Sequence, residues 1–519
     1  MDVGILAVVP PLLAIALAII TKQVLLALFI GVFTGCVIIT VNPLGSLELM
    51  IDIVVECLTE PEYMQVILIC FLLGGLIGLL VRSGGSAAFS ELLGERIRSR
   101  KGAQGATWAV GIMIFFDDYF NCLTNGSVMR PVADKFQISR EKFSYIVDST
   151  AVGICLIVPL SSWVAFICSL ISDSFDSAGI EGDAYATFIR SIPFNYYAWC
   201  TLIMVLMVVY FKLDFGPMGK AEKRVLSTGV VCEKTFSGGE ADEDDFSVIE
   251  RMKGKASDLL MPIFLLYILA ISFVLYTGGF FESFDLVDSF NEMDGLLALV
   301  YSISIAVVFA MILYAVKGLS KISDSIMAFI VGTKSMLFVI ILLTFAWSLG
   351  AICDELETAE YLVDVMMGNV PATVVPCLIF VCAYLMTFAT GATWGTYAIM
   401  IPMAAPIAVG MDANVLACIT AVIGAGGFGA HCSPLADTAI LSSAASNIRL
   451  IDHIKTQVPY SLTCGAIAAV GYIVSGILGP DSSPMIPLLV VAAAFVVVLF
   501  VLKRLSRYSS HSDPPIKED

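Results

Sequence analysis

Along the whole chain, apolar runs alternate with short polar stretches, and most runs reach the ~18 residues that a helix needs to cross ~30 Å of hydrocarbon. Spans read at about 4–20, 24–41, 64–81, 145–171, 194–211, 258–277, 296–316, 335–351, 414–446, 459–478 and 486–502. Two of them, 145–171 and 414–446, are interrupted by Gly, Pro and hydroxyl residues and are expected to be broken helices. Segments 106–129 and 374–409 are too broken to be simple spans, and each reads as a re-entrant hairpin that enters and leaves on one side. The pattern therefore predicts an all-α polytopic membrane protein of about 11 transmembrane helices plus two re-entrant hairpins. In lipid, an unwound backbone is tolerated only where protein or a water-filled cavity satisfies its amides and carbonyls. Each interruption thus marks an interior position.

Composition agrees and adds little: 519 residues, 58% hydrophobic and 14% charged. Charge placement adds more. Segments 42–63, 278–295 and 352–373 carry carboxylates and no Lys or Arg, and 172–193 has only Arg190 against four acids. By contrast, 82–105, 130–142, the loop 212–257 with its eight basic residues, and the C-terminus are basic. The positive-inside rule then puts the N-terminus outside and the C-terminus in the cytoplasm of a plasma (bacterial inner) membrane protein. It also makes the two hairpins enter from opposite sides. The first run, with no basic n-region before it and no cleavage site after it, reads as a retained span. The loop 212–257, with the acidic run Ser237–Asp245, reads as a solvated cytoplasmic linker, and 503–519 as a tail.

The two halves repeat each other. Ile154 to Trp163, containing Pro-Leu-Ser-Ser, aligns with Ala430 to Thr438, containing Pro-Leu-Ala-Asp. Thr124-Asn-Gly-Ser127 and Thr393-Trp-Gly-Thr396 precede them in the same order. The expected organisation is N-terminal scaffold helices in 1–63, a first inverted repeat in 64–211, and the linker 212–257. A scaffold helix pair in 258–334 and a second inverted repeat in 335–502 follow. Secondary transporters built this way hold ions and substrates at the breaks, near the repeat interface.

The polar residues at those breaks are the candidate site. Asp117 and Asp118 fall at the turn of the first hairpin, where carboxylates are expensive and therefore suspect as ion or proton ligands. Asn121, Thr124, Asn125, Ser161 and Ser162 supply oxygens around the first break, the kind that hard cations prefer. Asp148 reads either as a cation or proton ligand or as an interfacial carboxylate paired with Arg140 or Lys142. Thr390, Thr393 and Trp394 form the second hairpin tip, and His431, Ser433, Asp437 and Thr438 flank the second break. Asp437 is expected to be a desolvated acid able to hold a proton or a sodium ion, whereas His453, among Arg449, Asp452 and Lys455, is expected to be solvated. The fourteen cysteines show no zinc-like spacing and read as buried thiols. No phosphate loop, dinucleotide fingerprint or nucleophile elbow is present, so neither an ATP-driven pump nor a nucleic-acid binder is indicated.

The motifs Asp117-Asp-Tyr with Asn121, Tyr145 through Trp163, Gly391-Ala-Thr-Trp-Gly-Thr396 and Ser433 through Thr438 together resemble the NhaC-type sodium/proton antiporter family. The resemblance covers about residues 1–505 and implies the ion transporter superfamily fold, a dimeric scaffold and cation sites between hairpin tips and helix breaks. It puts Asp117, Asp118, Asn121, Asp148, Ser161 and Ser162 at a first site, and Thr390, Thr393, Ser433 and Asp437 at a second. Sodium is expected at Asp117, Asp118, Asn121, Asp148 and Asp437. Ala436 departs from the family, which often has Ser there, and removes one potential sodium-ligating oxygen. The implied activity is secondary sodium/proton antiport without a cofactor, by a homodimer in the lipid bilayer. The rivals are a sodium- or proton-coupled carrier of a small organic solute contacted by Trp394, His431 and Asn125, and, remotely, an intramembrane hydrolase.

Overall fold

A computed structural model describes residues 4–505 except 22, 86–87, 90, 92–96, 116, 233–248, 250–251, 285–288, 290–292, 359–360, 362–363, 366–369 and 481–482. Among the described residues every regular element is helical. The chain opens with α1 (Val9–Thr21), α2 (Val24–Thr40), α3 (Pro43–Thr59) and α4 (Pro61–Ser83). The first interrupted unit is α5 (Arg100–Met113), α6 (Asp118–Lys135), α7 (Arg140–Cys155) and α8 (Ser162–Ala178). Next come α9 (Ala184–Ser191), α10 (Tyr196–Phe211), α11 (Gly216–Thr228), α12 (Ala256–Thr277), α13 (Gly295–Val316), α14 (Ile322–Ser335) and α15 (Leu337–Glu355). The second interrupted unit is α16 (Val375–Thr390), α17 (Thr393–Gly410), α18 (Val415–Cys432) and α19 (Asp437–Ala445). The chain closes with α20 (Leu450–Leu478) and α21 (Met485–Leu505).

Nine helical stretches among the described residues are long and apolar enough to cross a membrane, and Gly4–Ala18 and Leu25–Thr40 are shorter apolar helices. Three expectations need correction. The segment 42–63, not counted among the spans, contains the helix α3. The arm Ala372–Thr390 of the second expected hairpin is itself long and apolar enough to cross. The linker 212–257 is not solvated throughout, because α11 buries Met218, Ala221, Glu222 and Val225. These recur at helical spacing and give the short helix an inner face. The acidic run Ser237–Asp245 lies outside the described residues, as does the tail beyond Leu505.

Helices without an apolar-against-water driving force associate through close backbone approach, which small residues permit. Gly74 and Gly78 on α4 meet Gly332 on α14 in this way: a Cβ on Gly78 would lie 2.1 Å from the Ala328 carbonyl oxygen. The two interrupted units sit at the centre. Every residue from Glu141 to Cys155 on α7 and from Ala417 to Cys432 on α18 is buried. Their partners cross over: α6 of the first unit packs on α19 of the second, and α17 of the second packs on α8 of the first. All four interruptions are thereby drawn towards each other.

Candidate functional site

The first hairpin turns between Met113 and Asp118, leaving the carbonyls at the end of α5 without helical partners. Asn121 supplies them: its Nδ2 donates to the Gly111 carbonyl at 2.7 Å and to the Ile114 carbonyl at 3.0 Å. Asn125 Nδ2 donates to the Thr107 carbonyl at 3.0 Å. Both asparagines therefore tie the hairpin arms together, and neither lines the recess described below. Asn121→Ala is expected to strand two buried carbonyls and cost about 2–4 kcal/mol. Thermal unfolding of the purified variant in detergent checks this, and an unchanged midpoint would contradict the bracing role.

The turn presents Asp117 and Asp118, both buried. Asp118 is 1% exposed and opens α6, where the exposed N–H groups of a helix start favour a carboxylate. Trp163 Nε1, on α8, donates to Asp118 Oδ1 at 3.0 Å, while Oδ2 is buried with no hydrogen-bond partner among the described residues. The neighbouring Tyr119 reaches across to the other half and donates its hydroxyl to Asp437 Oδ2 at 2.9 Å. Thr124, farther along α6, is buried and does not line the recess.

The second break runs from Ser433 to Ala436, and Asp437 opens α19. Asp437 is exposed, as are Pro434 and Leu435 before it. The expectation of a desolvated acid at this position is overturned; of the candidate acids, Asp117, Asp118 and Asp148 are the buried ones. The cause is the break itself, which ends α18 short and leaves the start of α19 open. Ser433 Oγ accepts the Leu435 N–H at 3.2 Å and so serves the turn. Ser161 does the same at the first break, its hydroxyl donating to the Cys155 carbonyl at 3.1 Å. The side chain of Ser162 lies outside the described residues. Thr390 caps the second hairpin, donating to the Met386 carbonyl at 2.9 Å and accepting the Ala392 N–H at 3.1 Å.

One small recess gathers what remains. Asp118 and Tyr119 from the first hairpin line it, with Trp163 from the first broken helix. Gly391, Thr393 and Trp394 come from the second hairpin, and Ala430, Ala436, Asp437 and Thr438 from the second broken helix. All four interrupted elements contribute. Its aromatic wall is tight: the Trp394 ring lies 5.4 Å from Trp163 and 4.8 Å from Phe166, centroid to centroid. Gly391, at φ +74°, sits directly on the second break, where a Cβ would lie 2.5 Å from the Leu435 carbonyl.

Asp148, expected to share sodium with these residues, belongs to a different cluster. It is 0% exposed, and its Oδ1 accepts the Ser442 hydroxyl at 3.1 Å. Its Oδ2 accepts from Gln457 Nε2 and faces His453 Nε2 at 3.4 Å. A carboxylate that already meets three donors offers a cation fewer free lone pairs than one with a single donor, and Asp148 does not line the recess. Nor is it paired with Arg140 or Lys142: Arg140 binds Asp134, and Lys142 binds Asp214. His453, expected in solvent, is fully buried. His431 lies in the same region, its Nδ1 2.7 Å from the Tyr197 hydroxyl, and of His431, Asn125 and Trp394 only Trp394 lines the recess. Sequence reasoning missed His453 and Gln457. The signal was their helical spacing with Thr456, Tyr460 and Ser461, which forms a buried stripe among the charges of α20.

Comparison with known proteins agrees with the architecture. Residues 154–477 match the model of the Na+/H+ antiporter family. An uncharacterised protein of Haemophilus influenzae is 33% identical over 510 residues, covering 96% of this chain and 95% of its own length. An uncharacterised Na(+)/H(+) antiporter of the same organism is 32% identical over 93 residues, 18% of this chain and 20% of its own. The Alcanivorax borkumensis YdaH transporter, whose crystal structure revealed an unusual topology, superposes with a TM-score of 0.57. At 15% identity over 83% of this chain and 88% of that one, the likeness concerns the fold alone. The protein is a multi-pass membrane protein, a secondary transporter and not an enzyme. The chain belongs to the Na+/H+ antiporter family.

Proposed function

We propose that the protein exchanges sodium for protons by alternating access, with Asp118 and Asp437 as the carboxylates that meet the cation. The observation that carries this reading is the recess to which all four interrupted elements contribute, with one buried acid and one accessible acid from opposite halves. Asp437, open to its surroundings at a helix start, offers a first contact to an arriving cation. Asp118, whose Oδ1 accepts the Trp163 indole N–H, is the deeper ligand, and Thr393, Thr438 and the adjacent Asp117 supply further oxygens. The Tyr119 hydroxyl on Asp437 links the halves, so a cation drawn between the two acids would compete with that bond. The halves act as inverted repeats moving against scaffold helices in 1–63 and 258–334, which hold a homodimer. The N-terminus lies outside and the C-terminus inside, as the Lys and Arg distribution favours.

Trp163 and Trp394, which line the recess with their rings tilted 57° to each other, favour a second reading, carriage of a small organic solute coupled to sodium or protons, because aromatic faces offer an apolar or cation–π surface. Reconstituted vesicles separate the two. A sodium pulse that changes internal pH with no organic solute present is the expected result. No pH change, together with uptake of an added organic acid, amino acid or drug, would replace exchange by solute transport.

A further inference from the structure

The cluster around Asp148 is left without a role by the cation recess. It is built like a proton site. Its carboxylate is surrounded by donors on both oxygens, and a second ionisable group, the His453 imidazole, lies against it. A buried carboxylate is costly unless a positive charge or protonation compensates it. The nearby cations are committed elsewhere: Lys142 to Asp214, and Arg140 to Asp134. His453 Nδ1 is buried with no hydrogen-bond partner among the described residues, as is His431 Nε2. With Nε2–H directed at Asp148, that Nδ1 lone pair is the vacant position for a proton.

We infer that the Asp148–His453 pair carries the exchanged proton, at a place separate from the cation recess. This rests on the exchange reading above. With a neutral imidazole the pair bears one negative charge; one proton taken up at Nδ1 makes an imidazolium–carboxylate pair of no net charge. The route between the two sites is a single short helix. α19 begins at Asp437, which lines the recess, and five residues on presents Ser442 to Asp148. Gln457 adds a second link, since its Nε2 also donates to the His431 carbonyl near the end of α18, two residues before the break begins at Ser433. A proton that alters the hold of Asp148 on Ser442 therefore acts on the helix whose first residue meets the cation.

Other titratable groups face this pair and bound the claim. Cys122 on α6 lies beside Ser442, Tyr145 on α7 stacks near Tyr460 on α20, and Tyr197 on α10 holds His431. On α20 itself, Arg449 pairs with Asp452 at 2.7 Å and Lys455 is exposed. On α11, Glu222 is held by Arg100 and Lys142. Among these side-chain types, imidazole is the one whose unperturbed charge change falls between about pH 5 and 8.

The test compares the parent with His453→Gln in reconstituted vesicles across a pH series. Exchange in the variant should fall on the order of tenfold, and its pH profile should flatten or move by about one unit. A variant that keeps the parent's rate and profile overturns the inference while leaving exchange standing; a parent that does not exchange overturns both. If the variant fails to fold, the full-length parent decides. The chain has three histidines, so ring-labelled protein in lipid discs gives signals from His431, His453 and the tail residue His511. Adding sodium chloride at fixed pH should shift a membrane-embedded histidine signal but not that of His511. No sodium response of His431 or His453 at any pH from about 5 to 9 would overturn the inference.

Discussion

Asp437→Asn is expected to abolish sodium/proton exchange while leaving a folded, well-expressed protein. A carboxylate contact worth about 3 kcal/mol to a bound cation corresponds to roughly 100-fold in affinity, and asparagine cannot replace the charge. Folding should be spared for two reasons visible at the site. Asp437 is exposed, so its charge is not a buried one whose removal disturbs packing. Asparagine also retains a carbonyl oxygen to accept the Tyr119 hydroxyl now on Oδ2. Sodium-driven pH change in vesicles, with melting temperature measured in parallel, is the check. Parent-like exchange would remove Asp437 from the cation path, whatever its place in the recess.

The largest expected loss of stability lies elsewhere, in the buried ion-pair network around Lys142. Lys142, 2% exposed at the start of α7, binds Asp214 at 2.7 Å and approaches Glu222 on α11 at 3.7 Å. Glu222 in turn binds Arg100 at 2.6 Å and accepts the Ser139 N–H at 3.0 Å. Arg224 grips Glu141 with two hydrogen bonds of 3.0 and 2.9 Å. Lys142→Met leaves Asp214 buried without its cation, which by precedent costs about 3–5 kcal/mol. The double variant Lys142→Met, Asp214→Leu should recover most of that loss, because a buried pair replaced by apolar groups is close to neutral. A single variant as stable as the parent would show that water reaches this network.

Much of this was legible in the chain, and the reasons differ residue by residue. Polar residues and prolines crowded into apolar runs flag the turn before Asp118 and the breaks near Ser161 and Ser433, but residue type alone does not place them: α18 runs unbroken through Gly424, Gly426, Gly427 and Gly429, and α17 through Pro402 and Pro406. The burial of Asp118 followed from its place in apolar context, whereas Asp148 could equally be read as an interfacial carboxylate. Exposure of Asp437 did not follow, since it depends on how far α18 stops short of its neighbours, a relation between distant segments. The asparagines of the first hairpin were read as oxygen donors, yet their amide nitrogens satisfy carbonyls that the turn itself releases. His453 was obscured by Arg449, Asp452 and Lys455, charges on the outward side of the same helix. The α11 helix was hidden in the same way: its apolar positions are few, and only the partner surface shows that they are enough.

The contact of Gly391 with the Leu435 carbonyl has a mechanical consequence. The two pieces of backbone touch with no side chain between them, so the hairpin tip rides on the unwound segment like a latch seated on its strike plate. Neither can shift towards the other, and whatever opens the recess to the opposite side must lift them apart or carry them as one body.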